Sequence, residues 1–175
     1  MTKQALRVLS FALVLAAVVV SLKALNWVPG ALEPGLMARY PSIGDAVSTL
    51  GLRKVYVPAY FPETLNWPPA VVLAQSKPYQ AVVMEFSRAR DGQTGLVISQ
   101  AASTLFEPDA AIRFRTISEK VSLDLRGRKA ALEAGECEDR SACSRVQWDE
   151  GTVRIVLTMR APSVELIRIA ESMLH

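Results

Sequence analysis

A chain of 175 residues has room for one domain of ordinary size and a small appendage, and its hydrophobic excess is gathered in the first thirty residues, which excludes a polytopic membrane protein. The net charge of +3 is carried by Lys3, Arg7 and Lys23; the remaining 17 basic residues meet all 17 acidic ones. A formally neutral body lacks the non-specific attraction to phosphate backbones that nucleic-acid binding draws on, so no nucleic-acid partner is expected.

Val8 to Val28 is 21 residues of apolar or small side chains broken only by Lys23 and Asn26. A helix of about 20 residues crosses a hydrocarbon core about 30 Å thick, so this segment predicts a single-pass transmembrane helix. Lys23 would snorkel to the membrane interface, and Trp27 would sit at headgroup depth. Lys3 and Arg7 keep residues 1–7 in the cytoplasm as a short tail, which places everything beyond Pro29 outside it. The expected location is therefore a bacterial inner membrane, with the domain in the periplasm or at the cell exterior. A cleaved secretory signal is the competing reading. Against it, Lys23 occupies the place where small residues should mark a cleavage site, so a retained signal-anchor is favoured. Both readings export the rest of the chain.

Residues 29–41, PGALEPGLMARYP, hold three prolines and two glycines and predict a stalk without regular structure, at most about 45 Å long. The domain is expected to span residues 42–175. Ser42 is a suitable cap for a two-turn helix over Ile43–Leu50, which Gly51 would end, before the first strand. The stretch VPAYFPETLNWPP, residues 57–69, is stiffened by prolines and carries Tyr60, Phe61 and Trp67. These aromatics either cover one end of the core or form a partner-binding edge.

From Val55 onward the dominant pattern alternates apolar and polar residues. It includes Val82, Met84 and Phe86; Val121, Leu123 and Leu125; and Val153, Ile155, Leu157 and Met159. Period-two alternation predicts antiparallel strands with one buried face. Asp91-Gly92 and Glu150-Gly151 supply the hairpin turns. A closing helix begins at Pro162-Ser163, with Leu166, Ile167, Ala170, Met173 and Leu174 along its apolar side. The fold class is α+β, a curved antiparallel sheet packed by a C-terminal helix.

Cys137 and Cys143, the only cysteines, flank EDRSA between two predicted strands, Arg128–Ala134 and Ser144–Asp149. In an oxidising compartment a structural disulfide is favoured over a redox pair, a metal site or free thiols. The spacing is not C-x-x-C, and the only histidine is the terminal His175. With no histidine to act in a triad or metal site, and no phosphate loop or nucleophile motif, no catalytic residue and no cofactor or metal ligand is assigned. Arg126, Arg128 and Lys129 form the densest basic cluster, either a solvated strand end or a contact to lipid headgroups.

The run LGLRKVYVPAYFPETL, the pair RGRKAALEAG and VQWDEGTVRIVLT, and the closing VELIRIAESML together resemble a bacterial domain-of-unknown-function family. That family forms the extracytoplasmic C-terminal region of membrane proteins, including some anti-sigma factors. Tyr56 to Pro62 resembles its proline-aromatic-proline entry, Gly127 to Leu132 its glycine-led strand, Trp148 with Gly151 its tryptophan hairpin, and Ile169 to Leu174 its closing helix. The segment from Cys137 to Cys143 departs from the pattern. The resemblance implies a sensor, binding or accessory module with no catalytic residues to carry over. Seven residues ahead of the apolar run are too few for a sigma-binding domain, so a complete anti-sigma factor is not expected. The expected function is a non-enzymatic, membrane-tethered accessory or assembly subunit of a larger membrane complex, with the bilayer and one or more membrane proteins as partners. The alternative is a binding or sensor module for lipid, peptide or envelope polymer, using a groove between the sheet and the terminal helix.

Overall fold

The computed structural model describes residues 37–104, 106 and 111–174. Among the described residues no helix is long and apolar enough to cross a membrane. The predicted span 8–28, with Lys23 and Trp27, lies outside them.

Eight antiparallel strands form one curved sheet. In chain order they are β1 (Ala38–Tyr40), β2 (Val71–Gln75), β3 (Ala81–Ser87), β4 (Thr94–Ala101), β5 (Phe114–Leu125), β6 (Arg128–Cys137), β7 (Ala142–Glu150) and β8 (Val153–Met159). Their spatial order is β1-β2-β3-β4-β8-β7-β6-β5, so β8 closes the sheet by pairing with β4 and the two edges are β1 and β5. Among the described residues two helices complete the α+β fold, α1 (Ile43–Leu50) and α2 (Ser163–Ser172).

β1 corrects the expected boundary. Its three residues fall within the stretch assigned to an irregular stalk, yet Arg39 pairs with Leu73 and the Arg39 guanidinium donates to the Ala70 carbonyl at 3.4 Å. Pro41 follows the strand, where its missing N–H costs no ladder bond, so a short edge strand is compatible with this proline-rich sequence. The helix expected before the first strand therefore lies between β1 and β2.

α1 follows the predicted chemistry. The Ser42 hydroxyl accepts the Asp45 N–H at 3.1 Å, and Gly51, at φ 60°, ends the helix in the left-handed conformation that a residue without Cβ adopts freely. The hairpin turns at Gly92 and Gly151 likewise have positive φ.

Alternate residues of the strands face the two helices. Val82, Met84 and Phe86, then Leu96 and Ile98, Ile155 and Leu157, and Val146 and Trp148 form one continuous core with Leu166, Ile169 and Ala170 of α2 and with Met173 and Leu174 just past it. Burying each Leu or Ile contributes roughly 1.5–3 kcal/mol, so this face supplies most of the driving force. Ile169 takes the central place on α2 and Ile167 is only partly buried, a rotation of the predicted stripe by part of a turn. The irregular stretch after α1 is tied to this core by Gln100. Its buried side-chain amide accepts the Tyr56 N–H at 2.8 Å and donates to the Tyr56 carbonyl, satisfying the backbone as a neighbouring strand would.

The opposite face of the sheet is divided. Over β3 and β4, Val83 and Val97 pack with Ile112, Cys137 and Cys143 in a second, smaller core that also touches Phe106 and Phe114. Beyond this second core, β5 to β8 carry polar residues on this face, among them Lys120, Glu133, Arg145, Asp149 and Arg154.

Candidate partner-binding face

The three aromatics of the proline-rich stretch do not act together. Tyr60 turns to α2: its hydroxyl donates to Glu165 Oε1 at 2.7 Å, and the Arg168 guanidinium lies 4.6 Å from its ring centroid. The hydrogen bond to Glu165 is the main reason its pKa is raised above the ordinary tyrosine value, with desolvation adding to it. Phe61 and Trp67 instead cluster with Phe86 of β3. Phe61 lies 4.9 Å from Phe86, and Trp67 stacks on Phe86 at 5.8 Å and meets Phe61 edge-on at 5.6 Å. Phe86 is fully buried, whereas Trp67 remains 53% exposed. A large aromatic held rigidly by a buried ring, with much of its surface in water, is ready to contact a partner at little entropic cost. Trp148, by contrast, is a core residue, as its alternation with Val146 implies.

Leu65, two residues before Trp67, opens onto a cavity of about 380 Å³ at the β3–β4 turn, with walls from Ala89, Gly95, Met159 and Ala161 and three arginines, Arg88, Arg90 and Arg160. The chain is brought there by Leu65, which bridges to Arg88, and by the Asn66 N–H, which donates to the Ser87 carbonyl at 2.8 Å. Arg88 donates to Asp91 at 3.1 Å and to Gln93 at 2.9 Å, and Arg160 pairs with Asp139 in the β6–β7 turn. The Asp91 carboxyl is pushed up by desolvation. That effect is outweighed by the Gln93 N–H and by Arg90 and Arg88, so its pKa falls below the ordinary value. Arg160 also keeps a buried Nε without a hydrogen-bond partner. The walls of this cavity are thus mostly apolar, with Thr64, Ser141 and three cationic corners, each arginine also holding an acid outside the lining: Arg88 and Arg90 hold Asp91, and Arg160 holds Asp139. Sequence reasoning missed these arginines because they come from two separate segments, the β3–β4 turn and the end of β8, each of which reads alone as an ordinary polar turn or strand end.

A wider, open hollow of about 650 Å³ lies on the polar face, lined by Ser122, Asp124, Lys129, Gln147, Asp149 and Arg154 among others. Its charges alternate in sign, and Arg154 forks onto Asp149 at 2.9 and 3.2 Å. The next row across the sheet runs Lys120, Glu133, Arg145 and Thr158, joined at 2.8, 3.5 and 3.4 Å. This is a solvated ladder whose polar groups satisfy one another, and it has little affinity to offer a ligand. No α2 residue lines either cavity, so neither is the expected groove between sheet and terminal helix. In the basic cluster, Arg128 forks onto Glu150 at 3.0 Å and Arg126 reaches the Leu174 carbonyl at 3.4 Å, which makes both parts of the fold's fastening.

Cys137 and Cys143 are joined as a disulfide, their Cα atoms 5.0 Å apart. Both are buried among Val83, Val97 and Ile112, so the bridge belongs to the second core, and only the turn between its two cysteines is polar. No family model, curated protein or solved structure matches the chain.

Proposed function

We propose that this protein is a non-enzymatic, membrane-tethered accessory subunit that engages a protein partner through the face formed by Trp67 and the arginine-cornered cavity. The observation that carries the reading is the half-exposed Trp67 stacked on the buried Phe86, two residues from Leu65 in the cavity wall. Tryptophan and arginine are the residue types that most often dominate interface energies, and here they share one flank with an apolar recess. The complementary partner carries an apolar side chain for the recess beside an acidic group for the arginines. The apolar segment Val8–Val28 supports tethering, and the resemblance to an extracytoplasmic domain family supports an exported, non-catalytic role.

The full chain is extracted from its native membranes in mild detergent and analysed by native mass measurement, beside Trp67→Ala and Arg90→Glu variants. Co-purifying subunits retained by the wild type and lost from both variants are the expected outcome. A solitary wild-type protein, or partners retained by both variants, overturns the reading.

A further inference from the structure

The two edges of the sheet differ sharply. β1 has three residues, whereas β5 has twelve and, among the described residues, no strand pairs with its outer side. Long unpaired edges are templates for further strands, and proteins ordinarily blunt them with bulges or charge. β5 is bulged only in its first half, where register shifts fall between Phe114 and Thr116 and between Ile117 and Glu119, and its second half carries charges of both signs, Lys120 and Asp124. From Glu119 to Leu125 the pairing with β6 is unbroken, and the residue at the centre of this regular stretch is Ser122.

The turn joining β5 to β6 contains two residues, Arg126 and Gly127, both at positive φ. In such a hairpin the flanking residues, Leu125 and Arg128, form a hydrogen-bonded pair. Alternation then turns the main-chain N–H and C=O groups of Lys120, Ser122 and Asp124 outward, away from β6. The side chains alternate too. Val121 and Leu123 lie on the helix-facing side, Val121 being 39% exposed, while Lys120, Ser122 and Asp124 lie on the polar side.

We infer that β5 is a self-association edge, taking a second copy of this chain by antiparallel pairing about a two-fold axis through Ser122. In that register Ser122 meets its own copy, Lys120 lies opposite Asp124 twice, and Val121 lies opposite Leu123 twice. Roughly six main-chain hydrogen bonds form from the three outward-facing residues. Neighbouring registers lack this agreement. Centring on Lys120 or on Asp124 sets like charges face to face, centring on Leu123 opposes Lys120 to Arg126, and centring on Val121 leaves Lys120 against Ser122. Both charged partners have capacity to spare. Asp124 Oδ1 accepts the Gly127 N–H at 2.6 Å and leaves Oδ2, and Glu133, which holds Lys120 at 2.8 Å, keeps Arg145 at 3.5 Å when Lys120 turns away. The result is one sheet running through two molecules, independent of the Trp67 face.

The test uses the full chain in mild detergent. In the paired register the two Ser122 Cα atoms are about 5.5 Å apart, within disulfide reach, whereas the two Ser118 Cα atoms are about 27 Å apart. Under mild oxidation Ser122→Cys is expected to give a reducible covalent dimer and Ser118→Cys none. The Asp124→Lys variant is expected to weaken dimerisation roughly tenfold by sedimentation, and the Lys120→Asp/Asp124→Lys exchange to restore it. Absence of a Ser122→Cys dimer, equal crosslinking of Ser118→Cys, or a charge exchange that stays as weak as Asp124→Lys while remaining folded overturns the inference.

Discussion

The Tyr60 hydroxyl donates to Glu165 Oε1 at 2.7 Å across 105 residues of chain, and the Ala59 N–H beside it donates to the Ser172 carbonyl at 3.3 Å. These two bonds fasten the proline-rich stretch that carries Phe61 and Trp67 to the terminal helix.

Tyr60→Phe is therefore expected to lower the melting temperature by a few degrees at neutral pH. The Tyr60 pKa is raised, chiefly by Glu165, so its contribution is full below the ordinary tyrosine value of about 10 and is lost as pH rises through the folded-state value. The gap between wild type and variant should close at alkaline pH. Thermal unfolding at stepped pH checks this, and a gap that does not change with pH would count against it.

Gly135 lies beside a register shift in β5, and a Cβ there would stand 2.0 Å from the Thr116 carbonyl oxygen and 3.0 Å from Ile117 Cα. Because the obstruction is backbone, Gly135→Ala should destabilise the domain by about 3 kcal/mol. Gly44, inside α1, meets only Ser42 Oγ at 3.7 Å, so Gly44→Ala should stabilise it by about 0.5–1 kcal/mol. Urea titration of both variants measures the contrast.

Replacing both Cys137 and Cys143 by serine removes a short closed loop worth roughly 2 kcal/mol in chain entropy, and also sets hydroxyls in the second core. A stability loss of about 3 kcal/mol is expected from urea midpoints. Mass measurement after alkylation should show no modified cysteine in the native wild type, and two after unfolding with reductant.

Asp139 in the β6–β7 turn accepts from the Ser141 hydroxyl, which is the largest influence on its carboxyl. Burial opposes it, and the Ser141 N–H and Arg160 act in the same direction as the hydroxyl, so the pKa is lowered. A lowered carboxylate pKa contributes stability above the unfolded value of about 3.9 and loses it as pH falls through the folded value. Asp139→Asn should lower the urea midpoint by roughly 0.3 M at pH 7, a figure discounted for solvent screening, and by nothing measurable in strong acid. Paired titrations at the two pH values read the difference directly.

Local chemistry determined much of this protein from its sequence. The Ser42 cap and the Gly51 terminus specify α1 within one turn of chain, and the turns at Asp91-Gly92 and Glu150-Gly151 specify hairpins because backbone sterics act over a few residues. Period-two alternation exposed β3, β8 and the second half of β5, and the six-residue spacing of Cys137 and Cys143 foretold their bond. β2 and β4 were harder to see. β2 lacks alternation in its buried run, and β4 is buried on both sides for most of its length, where the outward residues Val97, Ser99 and Ala101 need no contrast with their neighbours. Tertiary structure alone decided which aromatic stayed in water. Tyr60 was claimed by Glu165 and Phe61 by Phe86, while Trp67 kept half its surface free, because contacts across 105 residues and across the sheet leave no trace in local spacing. The same reason hid the cavity, whose three arginines meet only after β8 has closed against β4.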